Sequence, residues 1–151
     1  MEITVKKSAD AEKAYQIAQT LPGYFNAQGL KDIKKSTRDE ILYGAYIGEE
    51  MIGFVTYEEE NQYVVELSWV AILEKYQGQN IGTKLVQDSL KEVGKFYKIC
   101  KVKTLAETQP DSGYEKTRNF YKKLGFIPLE IIDPYPDWGK DSPCQIFVKV
   151  I

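Results

Sequence analysis

The chain has 151 residues, 43% of them hydrophobic and 28% charged, with 22 acidic side chains against 20 basic ones. That describes one ordinary globular domain, residues 1–151, long enough to bury roughly two thirds of its unfolded surface around a single core. A balance this close to neutral offers no basic field for a nucleic-acid backbone, so DNA or RNA is excluded as a main partner. The chain has no histidine. Ser-His-Asp and Cys-His catalysis and histidine-ligated metal sites are therefore excluded, no metal is expected, and proton transfer falls to Glu, Asp, Tyr, Lys or water. Cys100 and Cys144 cannot make a disulfide framework or a multi-cysteine zinc site and read as buried thiols. The first fifteen residues, MEITVKKSADAEKAY, lack a long apolar stretch, and no run approaches the roughly 18 apolar residues of a membrane helix, so a cytoplasmic protein with no membrane partner is expected.

Residues 2–6 alternate as a first strand, and Asp10 to Leu21 carries Ala11, Ala14, Tyr15, Ala18 and Leu21 at helical spacing. Pro22, Gly23 and Gly29 mark a loop, after which residues 30–41 suggest a short second helix with Leu30 and Ile33 inward. Strands follow at 42–48, 51–60 and 63–73, joined by connections so short that neighbours must run antiparallel. Ile81, Leu85, Val86, Leu90, Val93 and Tyr97 then line one face of a long helix. The strand at 101–107 returns to the sheet after that helix, and such a crossover predicts that it lies parallel to 63–73.

A Pro/Asp/Ser/Gly loop at 109–113 leads into a helix over 114–124 that stops at Gly125, a residue free to take positive φ. Strands at 126–132 and 144–151 flank a loop rich in Pro, Asp and Trp. The order β-α-α-β-β-β-α-β-α-β-β is that of one mixed α/β layer fold.

The turn KYQGQNIGTKLV (75–86) joins the third meander strand to the long helix. Unpaired N–H groups at a helix start bind anions, and glycines allow close approach of a phosphate. Two phosphate motifs fail on spacing. A P-loop needs four residues between its first glycine and a Gly-Lys-Ser/Thr, whereas three separate Gly78 from Gly82 and Thr83 displaces Lys84; the dinucleotide fingerprint needs glycine where the chain has Asn80 and Thr83.

A third pattern fits: the turn resembles the [QR]-x-x-G-x-[GA] signature of the GNAT-type N-acetyltransferases. Gln77 takes the first position and Gly82 the last, while Asn80 stands at the middle glycine, and asparagine is the non-glycine residue that best tolerates left-handed backbone. ELSWVAI (66–72) looks like the family's fourth strand, with a glutamate four residues before a Val-x-Ile pair. RNFYKKLGF (118–126) resembles its [FL]-Y-x-x-x-G-F helix. The resemblance implies a GNAT-like fold: a central, mostly antiparallel sheet with a parallel pair in the middle and helices on both faces.

It also implies acetyl-CoA as cofactor, with CoA as product. The pyrophosphate would lie on the main chain of Gln77, Gly78, Gln79, Asn80, Ile81, Gly82 and Thr83, with Lys84 and Gln79 adding side-chain contacts. The pantetheine arm would pair with Val70, Ala71 and Ile72, where a bulge in the family splays the strand from its neighbour. Acetyl transfer to an amine needs a base, an oxyanion donor and an acid for the thiolate. Glu66 shares strand parity with Ser68, Val70 and Ile72, and so is expected to face the cleft as general base, directly or through water. The donor would be a main-chain N–H near Val70. Tyr121 is the candidate general acid, since a phenol stays protonated at neutral pH. Tyr114, two helical turns earlier on the same face, is a candidate cofactor contact.

In such a fold the acceptor channel is walled by the first interhelical loop and the last hairpin. Here these carry Tyr24, Phe25, Tyr135 and Trp138 with Glu130, Asp133, Asp137 and Asp141, a mixture that attracts cations. The expected partner is therefore a primary amine, of a small molecule or a peptide, and the resemblance makes a homodimer possible. The alternative is a non-catalytic acyl-CoA-binding module of the same fold, although a binder needs neither Glu66 nor Tyr121.

Overall fold

The structure is a computed structural model and describes residues 2–108, 112–139 and 141–151, without the side chains of residues 112 and 113. The expected loop at 109–111 and Lys140 lie outside the described residues. Seven strands form one sheet: β1 (Thr4–Lys7), β2 (Ile41–Ile47), β3 (Glu50–Glu59), β4 (Val64–Ile72), β5 (Ile99–Leu105), β6 (Ile127–Ile132) and β7 (Cys144–Val150). Their order across the sheet is β1-β2-β3-β4-β5-β7-β6. β4 and β5 are its parallel pair, as the crossover requires, and all other neighbours are antiparallel.

Helices α1 (Ala11–Gln19) and α2 (Ala27–Asp39) cover one face, where Ala14, Ile17, Ala18 and Ile33 meet Phe54 and Ala71. On the other face α3 (Ile81–Val93) and α4 (Ser112–Lys123) bring Leu85, Val86, Tyr121 and Leu124 against Val55, Tyr57, Val65 and Phe147. Both cysteines are buried and free; burial pushes the Cys100 thiol up to about 12 and the Cys144 thiol up to about 11. No helix among the described residues is long and apolar enough to cross a membrane.

Element boundaries differ from the sequence reading by a few residues, and the largest shifts, at α2 and α3, have local reasons. α2 begins at Ala27 because Asn26 caps it, its side chain accepting the Gly29 N–H at 2.8 Å; Gly29 thus sits in the first turn of the helix. α3 stops at Val93 because the chain end packs on Gly94, where an added Cβ would lie 3.2 Å from the Ile151 carbonyl carbon. Tyr97 therefore falls beyond the helix, its hydroxyl donating to Glu59 at 2.7 Å. β5 and α4 each start two residues before their expected positions, within the usual fraying of element ends.

Polar links in the core are few and specific. The fully buried Tyr57 hydroxyl lies 2.7 Å from Ser89 Oγ, which itself donates to the Val86 carbonyl, so Tyr57 supplies the proton. Ser89→Ala leaves that hydroxyl buried without an acceptor, and urea denaturation should show a loss of about 1–3 kcal/mol; an unchanged midpoint would mean that the hydroxyl is satisfied elsewhere.

Candidate active site

The site starts from a defect in the sheet. Thr56 of β3 pairs with Trp69 and Tyr57 with Leu67, so Ser68 is an extra residue in β4, a bulge that bends and twists the strand. On its other side β4 pairs with β5 through three rungs alone, Val64 with Ile99, Val65 with Cys100 and Glu66 with Lys101. Beyond Glu66 the two strands part.

The bulge also corrects the parity expectation for Glu66. Val65 and Leu67 face α3 and α4, yet Trp69 and Ala71 pack on the α1/α2 side while Val70 and Ile72 pack on the α3/α4 side. Glu66 therefore shares its face with Trp69 and Ala71, and not with Val70 and Ile72, because the extra residue inverts the alternation. What Val70 and Ile72 turn into the gap is main chain. The Leu73 N–H bonds the Ile52 carbonyl toward β3, so by alternation Ala71 points that way and Val70 and Ile72 point toward β5.

The gap leads to the turn at 77–83. Gly78 has φ +76° and Asn80 φ +62°, so asparagine does adopt the left-handed geometry expected of it. Asn80 makes no side-chain cap on α3, and the first turn has no acidic residue. The leading N–H groups of α3, at Ile81, Gly82 and Thr83, thus have no acceptor within the helix. The turn's side chains are occupied internally. Gln77 donates to the Ile72 carbonyl at 2.8 Å and accepts from Tyr24 at 3.2 Å; Gln79 donates to the Lys75 carbonyl; Lys84 pairs with Asp88 at 2.8 Å. The side-chain contacts expected of Lys84 and Gln79 are spent within the protein.

On the α1/α2 face a cleft of about 1260 Å³ opens over Glu66. Its lining is rich in aromatics, among them Tyr24, Phe25, Trp69, Tyr114, Tyr135 and Trp138. Phe25 meets Trp69 edge-on at 5.8 Å and Tyr135 meets Trp138 at 4.9 Å. The lining is also acidic: α2 contributes Asp32 and Asp39, with Glu40 beside them, and β3 contributes Glu58 and Glu59. With Glu66 and Asp137 the lining holds seven carboxylates against two lysines, Lys35 and Lys103. Of the acids expected from the last hairpin, Asp137 lines the cleft while Glu130, Asp133 and Asp141 do not. The acids that do were legible as a helical stripe, Asp32, Ser36 and Asp39 recurring at i, i+4 and i+7.

Glu66 is held in place by charge. Its carboxylate, 13% exposed, has Lys103 Nζ at 3.0 Å and Lys101 Nζ at 3.7 Å, both on Oε1. Tyr121 lies across the sheet, 4% exposed, with its ring 5.2 Å from Phe120 and 5.5 Å from Phe126. Burial raises its pKa, with the neighbouring Cys100 adding to the effect. Cys100 sits on the rung before the strands part and is within electrostatic reach of Glu66 as well. Glu66 and Tyr121 thus lie on opposite faces of the sheet.

With that geometry in view, comparison with known proteins is decisive. A family model described as the acetyltransferase (GNAT) domain matches residues 38–128. The chain belongs to the GNAT acetyltransferase family. The fold agrees: a GNAT-family acetyltransferase from Desulfovibrio desulfuricans is 15% identical, with 99% of each chain covered and a TM-score of 0.85. A GNAT acetyltransferase from Elizabethkingia anophelis, solved with acetyl-CoA bound, is 23% identical over 99% of this chain and 98% of that one, with a TM-score of 0.74. The aminoglycoside 6'-N-acetyltransferase from Enterococcus faecium is 19% identical over 99% and 97%, with a TM-score of 0.74. No curated protein matches the sequence. As a GNAT member the chain is an acyltransferase, and its parallel pair, bulge and turn stand where the sequence resemblance placed them.

The two glycines of the turn separate cleanly. An added Cβ at Gly82 would make ordinary contact with Phe120 at 3.6 Å, whereas Gly78 holds a positive φ with open space around it. In urea unfolding, Gly78→Ala should cost about 1–2 kcal/mol, while Gly82→Ala should hold or raise stability because alanine is the better helix former. Equal losses at both positions would show that the fold itself needs Gly82.

Proposed function

We propose that this protein moves an acetyl group from acetyl-CoA to a primary amine within a ternary complex, Glu66 acting as general base and Tyr121 as general acid, in the cytoplasm. The observation that carries the reading is the parting of β4 and β5 just past Glu66, with Glu66 on one face, Tyr121 on the other and the open start of α3 beyond. The acetyl-CoA bound to the Elizabethkingia relative supports the choice of cofactor.

The residues present fit that cofactor. The uncapped first turn of α3 and the left-handed Gly78 and Asn80 suit a pyrophosphate, and the open space around Gly78 suits its close approach. Val70 and Ile72, with Ala71 between them, would pair with the pantetheine amides, although the Ile72 carbonyl already takes a bond from Gln77. Tyr114 lines the cleft on the acceptor side, so its contact would be near the acetyl end. When bound, acetyl-CoA supplies the thioester whose acetyl group is transferred.

The chain's own residues do the rest. The acidic cleft draws a protonated amine inward, and Tyr24, Phe25 and Trp138 offer ring faces at its mouth. Glu66 takes the proton that the ammonium must lose, and the Val70 N–H, turned into the gap, stabilises the oxyanion. Tyr121, kept protonated by its raised pKa, donates to the departing sulfur. An aminoglycoside acceptor in the Enterococcus relative supports a cationic amine as the substrate class.

The first test is thermal. At 100 times its Kd, acetyl-CoA should add about 2.7 kcal/mol and raise Tm by roughly 5–11 °C, whereas ATP and NAD should not. Gly82→Val should abolish the shift, because a branched side chain would stand against the phosphates. In turnover with an amine panel, Tyr121→Phe should lower kcat with acetyl-CoA affinity retained, and Glu66→Gln should cost roughly a hundred-fold, most severely at low pH. Acetyl-CoA binding with no thiol release from any amine would favour the non-catalytic module instead.

A further inference from the structure

Lys103 is the one cation of the cleft lining that touches Glu66, and its position is unusual. Lys101 lies on the last rung that β5 shares with β4, and Glu60 holds it at 3.3 Å. Lys103 comes one pleat later, where the strands have parted; its main chain pairs with Ile146 of β7 on the far side. Its ammonium reaches back across the opening to Glu66 Oε1 at 3.0 Å, and it also lies against the Tyr135 ring, 5.4 Å from its centroid, on the loop between β6 and β7. One side chain thus joins the carboxylate of β4 to the wall of the acceptor cleft.

Self-acylation of this lysine is disfavoured. Burial alone would ease loss of its proton, but the interactions with Tyr135 and Glu66 outweigh burial and raise its pKa. The group stays a cation and is no nucleophile.

We propose that Lys103 is the positioning residue of this site, a fixed cation that holds the Glu66 carboxylate and, through Tyr135, the acceptor-side loop around one point. The inference rests on the reading of Glu66 as the proton acceptor. The charges around Glu66 explain why such a residue is needed. From α2 and its C-terminal end, Asp32, Asp39 and Glu40 line the same cleft, offset by Lys35. From β3 come Glu58 and Glu59, with Glu60 just beyond, and from the loop comes Asp137. β7 adds the Cys144 thiol and β5 the more distant Lys101. Crowded carboxylates favour the protonated form of each other, and a cation at 3.0 Å favours the ionised form. Lys103 is the nearer of the two cations on Glu66, in a cleft lined mostly by acids.

Both effects fall on the acceptor half of the reaction. Among the described residues, no hydrogen bond, ion pair or ring contact joins Lys103 to the turn at 77–83 or to Val70, so acetyl-CoA binding should not depend on it.

The experiment compares wild type with Lys103→Met, Lys103→Arg and Tyr135→Leu. Acetyl-CoA affinity is measured by calorimetry, and thiol release is followed against pH with spermidine, an aminoglycoside and an alanine-led peptide. Lys103→Met should keep the acetyl-CoA Kd within about two-fold, cut kcat/KM for the amine about ten-fold or more, and move the acid limb of the pH profile upward by about one unit. Lys103→Arg should recover most of the rate and the original limb. Tyr135→Leu, which removes the ring from the ammonium, should raise KM for the amine and leave the limb in place. Where the methionine variant does not fold, Lys103→Gln serves with the same expectations.

A wild-type pH profile and kcat/KM in a folded, uncharged variant would overturn the inference while leaving the proposed function standing. So would a loss of acetyl-CoA affinity in proportion to the loss of rate, which marks general damage. A wild-type protein that releases no thiol with any of the amines overturns the proposed function, and this inference with it.

Discussion

Everything that distinguishes this sheet follows from the end of pairing between β4 and β5. Parallel strands that stayed hydrogen-bonded to Ile72 and Leu105 would present a closed surface with a helix layer on each side. The single extra residue at Ser68 prevents this, since a bulge adds twist and bend to one strand while its neighbour β5 stays paired to β7 along its whole length. The sheet is therefore continuous through three rungs and open beyond them. The opening gives a passage from the α1/α2 face to the α3/α4 face, and groups on opposite sides of a sheet can act on one point through it.

That arrangement divides the chemistry by physical kind. On the α3/α4 side stand main-chain N–H groups, a helix start and backbone turned to a gap, with Lys84 of the turn paired to Asp88. On the α1/α2 side stand charges and rings, with Glu66 beside Lys103 and Lys101 in an acidic cleft. A partly buried carboxylate and ammonium lose hydration on folding, and the pair compensates only when both members are present and well placed. Exchange of loop residues on the acceptor side can alter what enters without touching the main-chain half.

Much of the fold was legible because it rests on local periodicity. The meander, the crossover and the parallel pair follow from strand length and connection length, and the left-handed Asn80 follows from what asparagine alone tolerates. The face of Glu66 was not legible, because a two-residue alternation carries no mark of where one extra residue inverts it. Lys103 was hidden for a related reason: KVKTL places Lys101 and Lys103 on one side of a strand, but only the parting of β4 shows which of them reaches the carboxylate. The acids of α2 were visible as a stripe, yet a charged stripe on a helix reads first as a solvated face, and the cleft that gives it meaning is tertiary.

Gln77 links the two halves. Its amide nitrogen closes the carbonyl at the end of β4, and its amide oxygen takes the Tyr24 hydroxyl from the acceptor-side loop. The residue at the head of the turn thus shares one side chain between the strand that would hold the cofactor arm and the loop that walls the acceptor. A bond of 3.2 Å on an exposed tyrosine is individually weak. Its position matters more than its strength, because a shift at the end of β4 reaches Tyr24, in the lining of the cleft, through one amide group and the two hydrogen bonds it makes.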